Sequence, residues 1–531
     1  MPMTKVYLGT IIDTPKLGEL RVIEHAAVFV NKKGVITRIM DISDKSFSEG
    51  RTAVMRETLS SEEAGIEIVD QDWMEDDEGN VVRKFWFPGF VDTHTHPSQH
   101  PNAGIFGKST LLDWLNTYTF PLESSLSSPA KSRAVYTSFL TTSLRSGTTT
   151  ASYYATSSTI STNTLATLCH ARGQRAFIGR TNMDTDLQPP YYRDASASSA
   201  LAATAATIAH IKSLDPTYDL IKPIITPRFA PSCSEELLAG LGSLAEKEDL
   251  PIQTHISENL DEVALVQRLF PGKGAGTYAG VYDHYGLLGP KTVLAHAVHL
   301  SPRSANSCAK EARRSPTVPG LCPVRALLDD GIEVGLGTDV SGGFSGSMLS
   351  AAREAGIVSR VLAGVEARGA SIEGEAVGEG KAKQREKSDR VKLSPEECLY
   401  LATRGGATCL GLGDKVGAFE VGMEWDAQLI GLNEMRWEEQ QAATTMSGVE
   451  PSNETDEERM KRLAKEIREE VEGGGGDGDG GREVVDGSEG LVELWGKETW
   501  SERIAKWVFC GDDRNTRRVY VRGDMVHSLD G

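Results

Sequence analysis

Two histidines separated by one residue stand at the end of an apolar run near position 95. Residues 87–96 have the sequence FPGFVDTHTH, so His94 and His96 would point to the same side of a β-strand. Neutral imidazole binds zinc well, with about 2.0–2.1 Å between nitrogen and metal. A single His-x-His motif more often arises by chance, or from buried structural histidines, than from metal binding. The pair alone therefore leaves a metal site and a hydrogen-bonded core as alternatives.

Further residues that can bind a metal follow later apolar runs, each near the end of its run. They are His255 in PIQTH, His296 in VLAH and Asp339 in GLGTD. Histidines combined with a carboxylate provide mixed nitrogen and oxygen coordination and leave room for water, as in catalytic zinc sites. Structural histidines would have to reach all of these strand ends by chance. The whole set therefore favours one catalytic metal ion over a hydrogen-bonded core.

Glu258 lies three residues after His255. A bound divalent ion lowers the pKa of water from about 15.7 to about 7, which makes hydroxide available near neutrality. A carboxylate beside that water could take its proton and return it to a substrate. The alternative is that Glu258 is a helix N-terminal acid, stabilised by the helix dipole. The short spacing to His255 favours the general acid and base role.

The elements that must position these side chains are short apolar runs, which alternate with segments of helical length. The runs cover residues 85–96, 148–155, 175–182, 220–229, 251–256, 292–299 and 332–339. Strands that alternate with helices imply parallel β/α units. Seven or eight such units predict an α/β fold of the (β/α)8 class, a TIM-type barrel. Active sites of these barrels lie at the carboxyl ends of the strands, where the metal-binding residues are found.

The segments outside the runs predict a second domain and two insertions. Residues 1–84, 405–433 and 491–531 have β-strand patterns, so the two chain ends are expected to form a β-sandwich beside a barrel of residues 85–404. Residues 364–392 are predicted to be an exposed insertion within the barrel. Residues 434–490 are acidic and rich in glycine and are predicted to be disordered, apart from one amphipathic helix at 460–471.

Charge and cysteine content exclude several classes of protein. The 531 residues carry a formal net charge of −19, of which residues 434–490 contribute −10 through 17 acidic and 7 basic side chains. Such a balance repels nucleic acid and anionic membrane surfaces, so neither is an expected partner. Seven cysteines form no Cys-x-x-Cys pair, and we find no signal sequence or membrane-length apolar run. We therefore expect a cytoplasmic protein.

The metal-binding motifs and their order resemble those of the amidohydrolase superfamily, whose members hydrolyse C–N and related bonds at a metal. Within the superfamily, the sequence is similar to the guanine deaminases. The resemblance covers the barrel and both flanks. Its most specific stretches are HTHPSQ at 94–99, LDWLNTYTFPLE at 112–123, RFAPSCS at 228–234, THISEN at 254–259, ETWSERIAKW at 498–507 and GDDRN at 511–515.

This resemblance implies a role for each matching residue in the barrel. One zinc ion per chain would be bound by His94, His96, His255 and Asp339. His296 and Asp339 would bind and deprotonate the attacking water, and Glu258 would carry the proton to the purine ring and then to ammonia. The implied reaction is the hydrolysis of guanine to xanthine and ammonia. Dimers are common in this family, so a homodimer is also implied.

The resemblance also implies that Gln99, Arg228 and Phe229 hold the base. Guanine suits these side chains because it offers a carbonyl acceptor for Arg228, ring nitrogen groups for the Gln99 amide and a flat face for Phe229. Without the resemblance, Gln99 would be interpreted as a surface amide and Arg228 as an ordinary ion-pair partner.

One interval departs from the family pattern. Residues 301–320 are shorter than the corresponding family segment and lack its seventh-strand motif, His-Cys-Pro-x-Ser-Asn. The best substitute strand, residues 315–318, contains Pro316 and precedes Pro319, and proline cannot donate to a central ladder. Because a barrel closes only with its full set of strands, an inactive relative or an incorrect gene structure is one alternative. An amidohydrolase acting on another aminated or chlorinated heterocycle is the other.

Overall fold

The computed structural model describes residues 4–44, 49–50, 52–54, 66–69, 84–105, 111–301, 312–315, 322–372, 388–434, 460–461, 465 and 492–529.

The first part of the chain forms a mixed β-sheet. The first strands are β1 (Thr4–Asp13), β2 (Arg21–Val30), β3 (Ile36–Asp41), β4 (Ile66–Val69) and β5 (Lys84–Pro88). β1 pairs antiparallel with β2 and parallel with β4 and β5, and β2 pairs antiparallel with β3.

A series of short parallel strands follows in the central part of the chain. They are β6 (Phe90–Thr95), β7 (Thr148–Tyr154), β8 (Arg175–Gly179), β9 (Thr181–Asn182), β10 (Ile221–Pro223), β11 (Thr226–Pro227), β12 (Ile252–Ile256), β13 (Thr292–His296) and β14 (Ala312–Ser315). The parallel pairs are β6–β7, β7–β8, β8–β10, β9–β11, β12–β13 and β13–β14. The backbone N–H of Gln253 donates to the backbone carbonyl of Ile225 at 2.9 Å, which joins β12 to the preceding strands.

Residues 332–339 run along the other side of β6. The Asp339 amide donates to the His94 carbonyl at 2.9 Å. The two segments can approach closely because Gly337 has no side chain: a Cβ atom there would lie 2.8 Å from the His94 carbonyl oxygen. Among the described residues, no hydrogen bond joins β14 to residues 332–339. The strands therefore follow one another as in a (β/α)8 barrel, and the closure of the barrel stays a prediction.

Helices occupy most connections between the strands and supply the crossovers that parallel pairing requires. They are α1 (Leu111–Trp114), α2 (Phe120–Ser125), α3 (Pro129–Arg145), α4 (Thr159–Arg172), α5 (Ala197–Leu214), α6 (Glu235–Glu248), α7 (Leu260–Leu269), α8 (Tyr278–His284), α9 (Val324–Asp329), α10 (Met348–Ile372), α11 (Pro395–Ala402), α12 (Arg404–Cys409) and α13 (Trp500–Cys510). In the described parts of the chain, none of the helices combines the length and the apolar character that crossing a membrane requires.

Three C-terminal strands complete the sheet that β1 to β5 begin, namely β15 (Ala427–Gly431), β18 (Thr516–Val521) and β19 (Asp524–Ser528). The order in this eight-stranded sheet is β19-β18-β15-β5-β1-β2-β3, with β4 beside β1. Both chain ends therefore share one sheet. The short strands β16 (Asn433–Glu434) and β17 (Glu493–Leu494) pair with each other in a separate parallel sheet. Besides the eight-stranded sheet, the described terminal strands form this short β16–β17 pair, so the β-sandwich stays a prediction.

An aromatic core joins the C-terminal helix to the strands that lead into the site. Ile504, Trp507 and Val508 are spaced three and four residues apart on one face of α13, and all three are buried. The Trp507 ring lies 5.1 Å from the Phe87 ring and 5.8 Å from the Phe90 ring, between ring centroids. This packing fixes β6, whose last residues include His94.

The structure corrects the position of the seventh parallel strand. The sequence predicted residues 315–318, whereas β14 covers Ala312–Ser315 and pairs with β13 from Thr292 opposite Ala312 to Ala295 opposite Ser315. The strand ends just before Pro316, which could not donate a ladder hydrogen bond. A parallel strand therefore occupies the interval in which the family motif is missing.

Three other predicted regions differ from the structure or lie partly outside the described residues. α10 continues through Ile372, so the first part of the predicted exposed insertion at 364–392 is helical, and residues 373–387 lie outside the described residues. Residues 404–409 form α12, and Ala407 packs with Val91 and Val293 of the barrel strands rather than with the terminal sheet. Most of the predicted acidic insertion at 434–490, with most of its predicted helix, lies outside the described residues.

Candidate active site

Four histidines and one aspartate converge at the carboxyl ends of the parallel strands. His94 and His96 lie at the end of β6, His255 in β12, His296 at the end of β13, and Asp339 at the end of the segment beside β6. One potential ligand atom from each of His94, His255 and His296 lies within 4.8 Å of the others, and the same holds for His94, His96 and Asp339. The structure therefore brings together all five residues that the sequence predicted.

The donor atoms of this cluster fit a divalent metal ion. Nε2 of His96 lies 3.2 Å from Nε2 of His255, and Nε2 of His94 lies 3.1 Å from Oδ1 of Asp339. Both ring nitrogens of His94 are buried and form no hydrogen bond with the described residues; the approach of Nε2 to Asp339 is a contact between two potential ligand atoms. Buried polar atoms without partners are costly unless a ligand satisfies them. Imidazole nitrogens together with a carboxylate are a donor set that zinc prefers.

The protonation of the histidines also suits metal binding. Nδ1 of His255 donates to the Arg228 carbonyl at 2.6 Å, which leaves the lone pair of Nε2 directed into the cluster. Burial, followed by the neighbouring histidines, lowers the pKa of His96 and His255 well below the usual value. Burial likewise lowers the pKa of His94. Neutral imidazoles are the form that a metal ion binds.

Glu258 enters the site from the loop between β12 and α7. Its Oε2 atom lies 3.5 Å from Nε2 of His296. The N-cap of α7 is Asn259, and Glu262 accepts the Glu258 amide at 2.8 Å, so Glu262 is the acid that completes this helix terminus. The helix-terminal alternative therefore applies to Glu262. Burial, followed by the Asp339 carboxyl group, raises the pKa of Glu258 to about 8.

Two residues predicted to hold the base meet at one carboxylate. Gln99 follows β6 in a short helical turn, and Arg228 follows β11; both side chains are buried. Nε2 of Gln99 donates to Oε1 of Glu123 at 3.0 Å, and Nη1 of Arg228 donates to Oε2 at 2.7 Å. Phe229 is buried next to Arg228 in the chain. A surface position for Gln99 is thus excluded, and Arg228 does form an ion pair, in the interior.

Sequence reasoning missed Tyr154, which ends β7. Its ring centroid lies 4.5 Å from that of His94, 5.0 Å from that of His96 and 4.7 Å from that of His255. The Tyr154 hydroxyl is buried and has no hydrogen-bond partner in the described parts of the chain. Its place at the carboxyl end of a predicted strand is the feature that could have indicated it.

Backbone strain is concentrated around the same cluster. His296, Asp339 and Ser257 have φ angles of 66°, 47° and 52°, in the left-handed region that non-glycine residues rarely occupy. Residues of this kind are held in place by their surroundings, and they occur most often at active sites and ligand sites. The strain and the convergence of potential ligand atoms both mark these strand ends as the candidate functional site.

Comparison with known proteins gives a consistent result. Residues 85–526 match the Amidohydrolase family. The probable guanine deaminase of Schizosaccharomyces pombe is 38% identical over 533 residues, which cover 99% of this chain and 84% of that protein. The guanine deaminase of Homo sapiens is 40% identical over 355 residues, which cover 65% of this chain and 72% of that protein.

A solved structure agrees over the full length. The crystal structure of guanine deaminase from C. acetobutylicum, with guanine bound in its active site, superimposes with a TM-score of 0.71 at 26% identity. The alignment covers 99% of this chain and 100% of that chain. Together with the family match, this places the central part of the molecule in the TIM-barrel type of α/β domain. The chain belongs to the amidohydrolase family and, within that family, to the guanine deaminases.

Proposed function

We propose that this protein is a zinc-dependent guanine aminohydrolase, which converts guanine and water into xanthine and ammonia. The observation that carries the proposal is that buried Gln99 and Arg228 meet at one carboxylate in the same barrel as the histidine and aspartate cluster. The cluster suits hydrolysis, and the two side chains suit a planar base with a carbonyl group and ring N–H groups. Relatives named guanine deaminase support the substrate.

We infer that His94, His96, His255 and Asp339 bind the metal ion and that the ion is zinc. The nitrogen and oxygen donor set and the unsatisfied nitrogens of His94 support this assignment. When bound, zinc would supply an acidified water molecule near neutral pH. His296 and Asp339 are placed to accept hydrogen bonds or protons from the attacking water.

The remaining steps are proton transfers and binding by the side chains of this chain. Glu258 would take one proton from the attacking water and give it to the purine ring as the water oxygen bonds to the carbon that carries the amino group. It would then move the second proton of that water, from the added hydroxyl group, to the amino group as the C–N bond breaks, which leaves xanthine and ammonia. Gln99 and Arg228 would hold the edge of the base, and Phe229 would contact its face.

We also propose that β14 acts as the seventh strand of a complete barrel and that the terminal sheet is part of a β-sandwich. The parallel pairing of β14 with β13 supports the first point. The sharing of one sheet by both chain ends supports the second. A parallel strand in this interval favours an active enzyme over an inactive relative. The homodimer implied by the family resemblance can be checked by light scattering.

The test is to assay the purified protein for release of ammonia and xanthine from guanine and to measure its metal content. We expect turnover of guanine and about one zinc ion per chain. Adenine, cytosine and chlorinated heterocycles serve as comparison substrates under identical conditions. Metal-replete protein that is inert toward guanine but hydrolyses one of the comparison substrates would overturn the guanine assignment.

A further inference from the structure

The carboxylate of Glu123 is completely buried and receives hydrogen bonds from four donors. Glu123 lies in α2 with no solvent-exposed surface. Its Oε1 atom accepts from Oγ of Ser98 and from Nε2 of Gln99, both at 3.0 Å. Its Oε2 atom accepts from the Tyr192 hydroxyl at 2.8 Å and from Nη1 of Arg228 at 2.7 Å. A buried carboxylate requires this degree of pairing to be stable.

The hydrogen bond to Glu123 fixes the orientation of the Gln99 amide. Because the amide nitrogen faces the carboxylate, the amide oxygen must face the opposite way, where the Ser341 hydroxyl lies 3.5 Å from it. The reverse orientation would place the amide oxygen against a carboxylate oxygen, and neither atom could donate. Gln99 therefore presents an acceptor on the side away from Glu123.

Glu123 fixes Arg228 in a complementary way. One guanidinium nitrogen is bound to Glu123, and the Phe120 ring lies 5.4 Å from the guanidinium carbon. Arginine carries only donors, so Arg228 presents donors wherever it is not bound to Glu123.

We propose that Glu123 is a positioning residue that determines substrate specificity, since it holds Gln99 as an acceptor and Arg228 as a donor. This pair matches a lactam edge, a carbonyl oxygen next to a ring N–H, and mismatches an amidine edge, an amino group next to an unprotonated ring nitrogen. Guanine has the lactam edge. The inference rests on the proposed function, because it assigns a cause to the selection of guanine at the same site.

The probe that isolates this effect is 2,6-diaminopurine. It carries the same amino group at C2 as guanine, but an amino donor replaces the carbonyl at C6 and the adjacent ring nitrogen becomes an acceptor. The wild-type enzyme should favour guanine by at least about 100-fold in kcat/KM, because the mismatched base leaves buried polar groups unpaired. Steady-state kinetics with the two substrates measures this ratio.

The decisive variant is Glu123→Gln, with Tyr192→Phe as the matched control. A glutamine at 123 can donate to the oxygen of Gln99, which allows the Gln99 amide to turn and present its nitrogen to the base. We expect the ratio of kcat/KM values for guanine and 2,6-diaminopurine to fall at least about tenfold. Tyr192→Phe removes a donor to Glu123 without freeing Gln99, so we expect the ratio to stay within about threefold.

The outcomes separate this inference from the proposed function. A purely structural role for Glu123 would lower both kcat/KM values together, and an unchanged ratio in active Glu123→Gln protein would overturn the inference. Wild-type protein without guanine turnover would instead overturn the proposed function. If Glu123→Gln does not fold, calorimetric binding of hypoxanthine and adenine to wild-type protein decides. Hypoxanthine has the lactam edge and should bind at least about tenfold tighter; equal affinities would overturn the inference.

Discussion

At the scale of single residues, the partners of three neighbouring carboxyl groups distinguish their roles. Glu262 accepts the Glu258 amide and the Tyr278 hydroxyl, the latter at 2.7 Å. Asp339 lies against His94 at 3.1 Å and against His96 at 3.6 Å. Of the three, Glu258 faces His296 at 3.5 Å, outside the group of proposed metal ligands. This placement supports the proposal that Glu258 moves protons between water and substrate.

Replacing Glu258 with glutamine should abolish proton transfer and leave the metal site intact. We expect Glu258→Gln to lower kcat for guanine by at least about 100-fold, the usual scale of general acid and base catalysis. Zinc content, measured by mass spectrometry, should stay at the wild-type level because the proposed ligands are unchanged. Glu236→Gln, on the exposed side of α6, is the control and should have wild-type activity. Substantial activity in Glu258→Gln would remove this residue from the mechanism.

Metal-binding residue types with a spacing pattern or a place at a predicted strand end could be predicted from the sequence, and other residues could not. His94 and His96 were recognisable because two imidazoles at alternate strand positions share one face. Glu123 has no comparable pattern, since its partner Arg228 lies 105 residues further along the chain. Gln99 and Arg228 were assigned through the family resemblance alone. Tyr154 was not assigned, although its strand was predicted, because a tyrosine at a strand end is most often part of the core.

At the scale of elements, the start of α7 controls the loop that carries Glu258. Asn259 caps the helix by accepting the Glu262 amide at 2.9 Å, and Glu262 in turn accepts the Glu258 amide. Ser257, two residues before the capping residue Asn259, has a φ angle of 52°. The cap and the strained residue together restrict the backbone that carries Glu258, so we expect the helix terminus to affect catalysis as well as stability.

Replacement of Asn259 should therefore affect both the stability of the protein and its catalytic rate. Asn259→Ala is expected to lower the free energy of unfolding by about 1 kcal/mol, the usual value for a lost N-cap. It should also lower kcat several-fold, because Glu258 loses its fixed position. Thr499→Ala removes an equivalent cap from α13, where no proposed site residue follows. The control should show a similar loss of stability in denaturant titrations with unchanged kcat; the same kcat in both variants would contradict the positioning role.

The parallel strands were predicted well where they are apolar, and the one exception has a physical reason. β14 consists of Ala-Arg-Arg-Ser, a sequence without the apolar pattern on which the prediction depended. Strand pairing is made by backbone groups, so a polar segment can pair when its neighbour is already in place. Because β14 is polar, the sequence interpretation placed the strand at residues 315–318 instead, although Pro316 and Pro319 counted against a strand there. None of the predicted site residues lies on this strand, so their assignment was unaffected.

At the scale of the whole molecule, net charge and site chemistry are separate. Residues 434–490 contribute −10 of the net charge of −19, yet every proposed site residue lies between positions 94 and 339. The charged side chains proposed for the site are Glu123, Arg228, Glu258 and Asp339, which act on a neutral base over short distances. The acidic segment still argues against a nucleic acid partner.

The barrel and the terminal sheet are joined by a buried arginine far from the proposed site. Arg175 begins β8, whereas the site lies at the opposite, carboxyl ends of the strands. Nε of Arg175 lies 3.2 Å from Oδ2 of Asp426, just before β15, and its guanidinium also pairs with Glu424. Asp426 in addition accepts the Arg522 amide at 2.8 Å. Loss of the arginine would leave two buried carboxylates without their main partner.

Arg175→Ala should lower the free energy of unfolding by about 3–5 kcal/mol, the usual effect of breaking a buried ion pair. Lys16→Ala, which removes the exposed pair with Glu19, should change it by less than about 1 kcal/mol. At denaturant concentrations below the unfolding transition, kcat of Arg175→Ala should match that of the wild type, because the ion pair lies at the amino ends of the strands. Denaturant titration and guanine turnover on the same samples test this. A large loss of kcat in folded Arg175→Ala would show that the joint between the barrel and the terminal sheet also shapes the site.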